Sequence, residues 1–148
     1  MRLLPAKDVQ TNPLEGEPPR CQVTISGGAP VSLAGRSVLA ALALGPNGPV
    51  PGGHLILTED DVLFEEMLHV QLIDAGGEVL ERVSIGGAYE TGALENLRVM
   101  SRDTVAFRCI MDWQVKVLDA PQWRLPVPQR GIWRYNRLRS WLRVEEVG

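Results

Sequence analysis

The sequence predicts an all-β fold, mostly antiparallel: a β-sandwich or a small, partly closed barrel, with room for one short helix. Three observations lead there. TVAFRCIMDWQVKVL alternates with a period of two, which suits a strand and no helix. VQLIDAGGEVLERVSI sets two β-rich runs around a glycine turn. Short apolar runs recur between proline and glycine turns, and the 15 glycines include four doublets of the kind that tight turns use. At 148 residues the chain is long enough to bury a core as one domain without metal or disulfide support.

Taken in order, residues 1–20 hold Pro5, Pro13, Gly16, Pro18 and Pro19 among scattered charges. They read as an extended, flexible N-terminal arm, which leaves 21–148 as a single β-rich domain. Gln22 to Ser26 is expected as a strand that ends at Gly27-Gly28. Val38 to Leu44 fits a brief helix capped by Ser37 and stopped by Gly45, or equally a buried strand, because so short an apolar run does not decide. GPNGPVPGG, Gly45 to Gly53, must be a surface loop, after which His54 to Leu57 resumes an extended apolar pattern. Thr58 to Asp61 is read as a turn between strands in preference to a helix start.

Val70 to Ile73 and Val79 to Ile85 form a hairpin over Asp74–Gly77, and Gly86 to Gly92 is a loop that carries Tyr89. Leu97 to Met100 pairs with the next strand through a turn at Ser101-Arg102-Asp103. That next strand, Val105 to Val117, would span ~43 Å at ~3.3 Å per residue, so a bend or bulge is expected near Asp112. In APQWRLPVPQRG, Pro121, Pro126 and Pro128 exclude a central strand and send the chain along the surface or over an edge. The closing RGIWRYNRLRSWLRVEEVG has one apolar side whether it is drawn as helix or strand, so it is expected to dock.

The formal charge of −3 conceals an asymmetry: residues 1–97 carry 5 Lys/Arg against 13 Asp/Glu, net −8, and residues 98–148 carry 10 against 5, net +5. Such a split marks either a basic surface for a polyanion or two halves that attract each other. The N-terminus has no apolar leader of export type, and the longest apolar run, Val38 to Leu44, falls far short of the ~20 residues that span a bilayer. A cytoplasmic protein without a membrane segment is the expectation. Cys109 lies on an apolar strand face and is expected as a buried thiol; whether it pairs with Cys21 stays open.

Motifs that carry chemistry are sparse. His54 and His69, the only histidines, have no neighbouring ligand set of metal-binding spacing, and no metal or cofactor is expected. There is no nucleophile elbow and no phosphate-cradling glycine loop, so catalysis is not favoured and no catalytic residue is assigned. What stands out is arginine interleaved with tryptophan near the end, a pairing common at interface hot spots. Trp123, Arg124, Trp133, Arg134, Arg137, Arg139, Trp141 and Arg143 are therefore the candidate partner contacts of a binding or assembly module, through a protein partner or self-association.

Two alternatives are weighed beside that reading. One is a small-molecule or enzymatic pocket rimmed by the glycine loops, with His54, His69 and Tyr89 as its polar groups. The other is single-stranded nucleic-acid binding by arginines and stacking rings. The acidic chain, the lysine-free ending and Glu145-Glu146 disfavour nucleic acid, and leave the arginines to pair with acids and lie over tryptophan faces.

Overall fold

HLILTE, His54–Glu59, has no solvent side: Leu55, Ile56, Leu57 and Thr58 are buried in succession, which requires cover on both faces of its sheet. A computed structural model of the chain describes residues 1–61, 67–86, 93–135 and 138–148 and supplies that cover with three antiparallel sheets. The strands are β1 (Arg2–Leu3), β2 (Val9–Leu14), β3 (Arg20–Ile25), β4 (Val31–Ala34), β5 (Ser37–Ala43), β6 (His54–Glu59), β7 (Met67–Ile73), β8 (Val79–Gly86), β9 (Glu95–Val99), β10 (Thr104–Cys109), β11 (Met111–Trp123), β12 (Ile132–Arg134) and β13 (Arg139–Glu146). The central sheet runs β1-β5-β6-β7-β8-β12. The second, β13-β11-β10-β9, packs on one face of it and the third, β2-β3-β4, on the other. The fold is an all-β, sandwich-like stack, and none of its sheets closes into a barrel.

Period-two patterning explains both cores. Leu55, Leu57, Val70, Leu72, Val83 and Ile85 turn to the four-stranded sheet and meet Val105, Phe107, Trp113, Val115, Leu142 and Val144. At about 1.5–3 kcal/mol for each large apolar side chain removed from water, this layer supplies most of the burial. Ala41, Ile56 and Ile73 point the other way, to Leu4, Cys21, Val23 and Leu33. The smaller interface also contains a polar clasp. Gln71 accepts from the Ala34 amide at 2.9 Å and donates to the Ala34 carbonyl at 3.1 Å, and Thr58 donates to that carbonyl at 2.6 Å. So close an approach demands Gly35: its φ is +93°, and a Cβ there would lie 2.6 Å from Thr58 Oγ1.

The hairpin of β7 and β8 forms over the glycine turn, with the Asp74 carboxylate accepting from the Gly76 and Glu78 amides and Gly77 at φ +88°. The strand expected from Val105 to Val117 is instead two. The chain reverses at Ile110, and β10 pairs with β11 from Cys109↔Met111 to Thr104↔Lys116. Paired residues in this register have the same parity, so the odd residues share one face on both strands. Alternation therefore runs unbroken through the reversal and hides it.

Val38 to Leu44, undecided between helix and strand, lies in β5 and its continuation, because β6 offers it a ladder along Ser37–Ala43. Among the described residues the one helical piece is the 3-10 turn Ala6–Asp8. Residues 1–20 are extended but not a free arm: β1 and β2 join two different sheets and Leu4 is buried. Pro13 is accommodated because β2 is an edge strand, where a missing N–H costs no ladder bond. Of the acidic turn, Thr58 and Glu59 belong to β6; residues 62–66, and the loop at 87–92 with Tyr89, lie outside the described residues. Cys21 and Cys109 are not joined in a disulfide and lie in opposite cores, separated by the central sheet.

Candidate functional site

The three-stranded sheet is narrower than the sheet it covers, so part of the β7–β8 face is left as the floor of a groove. Two adjoining hollows share Ala34, Arg82 and Tyr135. The larger, about 630 Å³, is lined by Arg20 and Ser32 on one side, Tyr135 and Leu138 on the other, and Gln71, Val79, Leu80, Glu81 and Arg82 between them. The smaller, about 370 Å³, holds Asp60, His69, Ser84 and Trp133. Arg20 is fixed by Ser32, donating from Nε and Nη2 to its hydroxyl at 3.2 and 3.0 Å and from Nη2 to its carbonyl at 3.2 Å. Arg82 lies over the Tyr135 ring, 3.3 Å from its centroid.

In the smaller hollow His69 Nε2 is 2.6 Å from Asp60 Oδ1 and Nδ1 is 2.6 Å from Ser84 Oγ. A carboxylate only accepts, so in the neutral ring Nε2–H donates to Asp60 and Nδ1 accepts the Ser84 hydroxyl. The polarity is that of a Ser-His-Asp relay, but its surroundings are those of a structural chain. Ser84 is 1% exposed on a strand paired on both sides, to β7 and to β12. A row of polar groups running from the end of β6 across β7 and β8, which would otherwise be left unpaired, is thereby satisfied.

Glu81 faces the opposite way from Arg82, into the seam between β8 and β13. Its Oε2 accepts from the Leu142 amide at 2.7 Å, while Oε1 has no hydrogen-bond partner among the described residues and stands 3.7 Å from Arg134 Nη1. Burial raises its carboxyl from 4.5 to about 7, with Arg134, the Leu142 and Trp141 amides and Ser140 pulling the other way. Arg134 is the better satisfied partner, donating to Ser140 Oγ at 2.9 Å and to the Leu142 carbonyl at 3.0 Å.

The arginine- and tryptophan-rich segment borders the groove and continues around this flank. Beyond the core, β11 extends to Trp123 and pairs only with the start of β13, through Gln122↔Ser140 and Trp123↔Arg139. Residues 124–131, with Pro126 and Pro128, return along β12 and enclose a hollow of about 460 Å³. Six of the fourteen exposed large hydrophobics among the described residues, Trp123, Leu125, Val127, Trp133, Tyr135 and Leu138, fall between positions 123 and 138, which marks the flank off from the rest of the surface. Arg139 lies 5.6 Å from the Trp123 ring centroid.

Most of the residues singled out from sequence are thus on one flank, in different roles. Trp123, Trp133, Arg139 and Arg143 are exposed, and Arg124 is half-buried at the mouth of the loop hollow. Trp141 packs against the main core and Arg134 against Glu81. Arg137 and Tyr89 lie outside the described residues.

His54 and His69 are not brought together. His54 pairs with Ile73 and His69 with Thr58 on the same two strands, four residues or about 13 Å apart. His54 lies beside the Gly76-Gly77 turn, where burial lowers its pKa. No group of three or more His, Cys, Asp or Glu among the described residues is placed to hold a metal ion. No helix among them is long and apolar enough to cross a membrane.

Arg20, Asp60, Arg82 and Ser84 were not singled out, although the hairpin contained a signal for two of them. Polar Gln71 and His69 share one face of β7, and the hairpin register sets Arg82 and Ser84 opposite them. Compared with known protein families, curated proteins and solved structures, the chain has no significant match.

Proposed function

We propose that this chain is an assembly module that self-associates head to tail, its arginine- and tryptophan-rich flank docking on the acidic surface of a second copy. The observation that carries this reading is the concentration of exposed apolar side chains between Trp123 and Leu138. Isolated exposed hydrophobics need no explanation, but a cluster of this kind is costly to leave in water. Charge favours the head-to-tail arrangement. Residues 120–144 contain six arginines and no acid, so a two-fold contact of this flank with itself would set like charges face to face. Residues 59–95 contain ten acids and one arginine; Asp60 and Glu81 are engaged inside the fold, and the other eight are the complement this reading requires. The two buried thiols, not joined in a disulfide, suit a reducing compartment.

Light scattering at micromolar concentration tests this directly. Assemblies larger than a monomer are expected at about 50 mM salt and should dissociate toward about 500 mM, where exposed charges are screened. Trp123→Ala combined with Leu125→Ala should give a monomer at both salts, with thermal unfolding unchanged. A wild-type monomer at low salt would sink self-association. Retention on heparin that falls steeply with salt would instead assign the flank to polyanions.

A further inference from the structure

The groove beside the flank carries a second, separate capacity. We propose that the hollow between Arg20 and Arg82 binds a small organic oxyanion, a carboxylate or phosphate head on an apolar body. Both guanidinium groups line this one space, and among the described residues neither makes an ion pair. Burial pushes the Arg82 pKa below its ordinary value and the nearby Arg20 adds to the lowering, opposed by Tyr135 and Asp60. Two cations held close together and partly out of water repel each other, and an anion between them relieves both costs.

Both arginines are already held in place. The Ser32 bonds use Nε and Nη2 of Arg20 and leave its Nη1 donors over, while Tyr135 stacks on the flat face of Arg82 and takes one of its hydrogen bonds, which leaves the other N–H groups of that guanidinium for a ligand. Planar donors fixed in this way match the two oxygens of a carboxylate or phosphate edge. The apolar part of the ligand has a wall of its own in Val79, Leu80 and Leu138. A hollow of about 630 Å³ is within the range of small-molecule sites.

The acids nearby do not fill the position. The Asp60 carboxylate is bonded to His69, and the Glu81 side chain, 1% exposed, is turned to the Leu142 amide. Gln71, although on the floor, is spent on Ala34 and Thr58. Recognition therefore falls to the two arginines.

Calorimetric titration of the whole chain with sodium octanoate, inorganic phosphate and octanol tests this. Saturable binding of octanoate or phosphate is expected, octanoate the tighter if its chain lies on the apolar wall. Arg20→Gln and Arg82→Gln should each weaken it by about tenfold or more, the worth of one charge-assisted hydrogen bond. Arg124→Gln, which borders a different hollow, should leave it unchanged.

Thermal unfolding verifies that each variant folds, and either arginine variant alone suffices for the comparison. Three results would overturn the proposal: no saturation by either anion to roughly 10 mM, corresponding to affinity weaker than specific recognition supplies; octanol binding as well as octanoate; or equal losses in Arg124→Gln. None of these readouts depends on self-association, because Trp123→Ala with Leu125→Ala leaves both arginines in place and can be titrated as the monomer.

Discussion

Gly35 and Glu81 are two residues whose chemistry is barely visible in the chain yet tightly constrained in the fold. Gly35 combines a left-handed backbone with a Cβ position already occupied by Thr58. Gly35→Ala is expected to cost on the order of 2–3 kcal/mol, from backbone strain plus loss of the clasp between Ala34, Thr58 and Gln71. Urea unfolding measures it, and a variant as stable as wild type would show that the clasp yields freely. Glu81 predicts a pH dependence. Its folded pKa, about 7, is above the ordinary 4.5, so between those values the folded protein keeps a proton that the unfolded chain has released. Stability therefore falls as pH rises through that window and the loss is complete above it, up to about 3 kcal/mol in all. Glu81→Gln, which cannot ionise, should flatten the slope and be the more stable protein at about pH 8. Identical slopes for the two proteins between about pH 5 and about pH 8 would exclude Glu81 as the titrating group.

At the scale of elements, the reversal between β10 and β11 is the instructive case. Ile110 turns the chain with φ +66°, a conformation that β-branched residues resist, and the hairpin is held by the Trp113 indole donating to the Cys109 carbonyl at 3.1 Å and by Arg108 with Asp112 at 3.3 Å. Ile110 is partly exposed, so replacing it sacrifices little burial. Ile110→Gly is expected to raise stability by about 1 kcal/mol, strain relief outweighing the entropy of glycine, whereas Ile110→Val should gain nothing. A destabilised glycine variant in thermal unfolding would count against strain at this turn. The β7–β8 hairpin was legible because Gly76-Gly77 announces its turn. The β10–β11 hairpin was not, because no glycine, proline or asparagine marks Ile110 and the even-sum register leaves the alternation intact.

For the whole molecule, the charge asymmetry along the chain sets an arginine-rich flank around β12 and β13 beside β8, where Arg134 faces Glu81. Salt-dependent assembly and anion binding in the adjoining groove are the two expectations at this scale, and their variants do not overlap. The sequence by itself determined the all-β class, the β7–β8 hairpin and the burial of Cys109. All of these depend on local periodicity and turn chemistry. It also drew attention to the arginines and tryptophans, because composition is local too. Only the tertiary structure decided that β5 is a strand, that residues 1–14 pack, that His54 and His69 stay apart, and that Arg20 and Arg82 meet across a groove. Each of those depends on how segments distant in the chain pair and pack. A strand declares its two faces by alternation, but which sheet covers each face, and how far that cover extends, is set by the fit of all three.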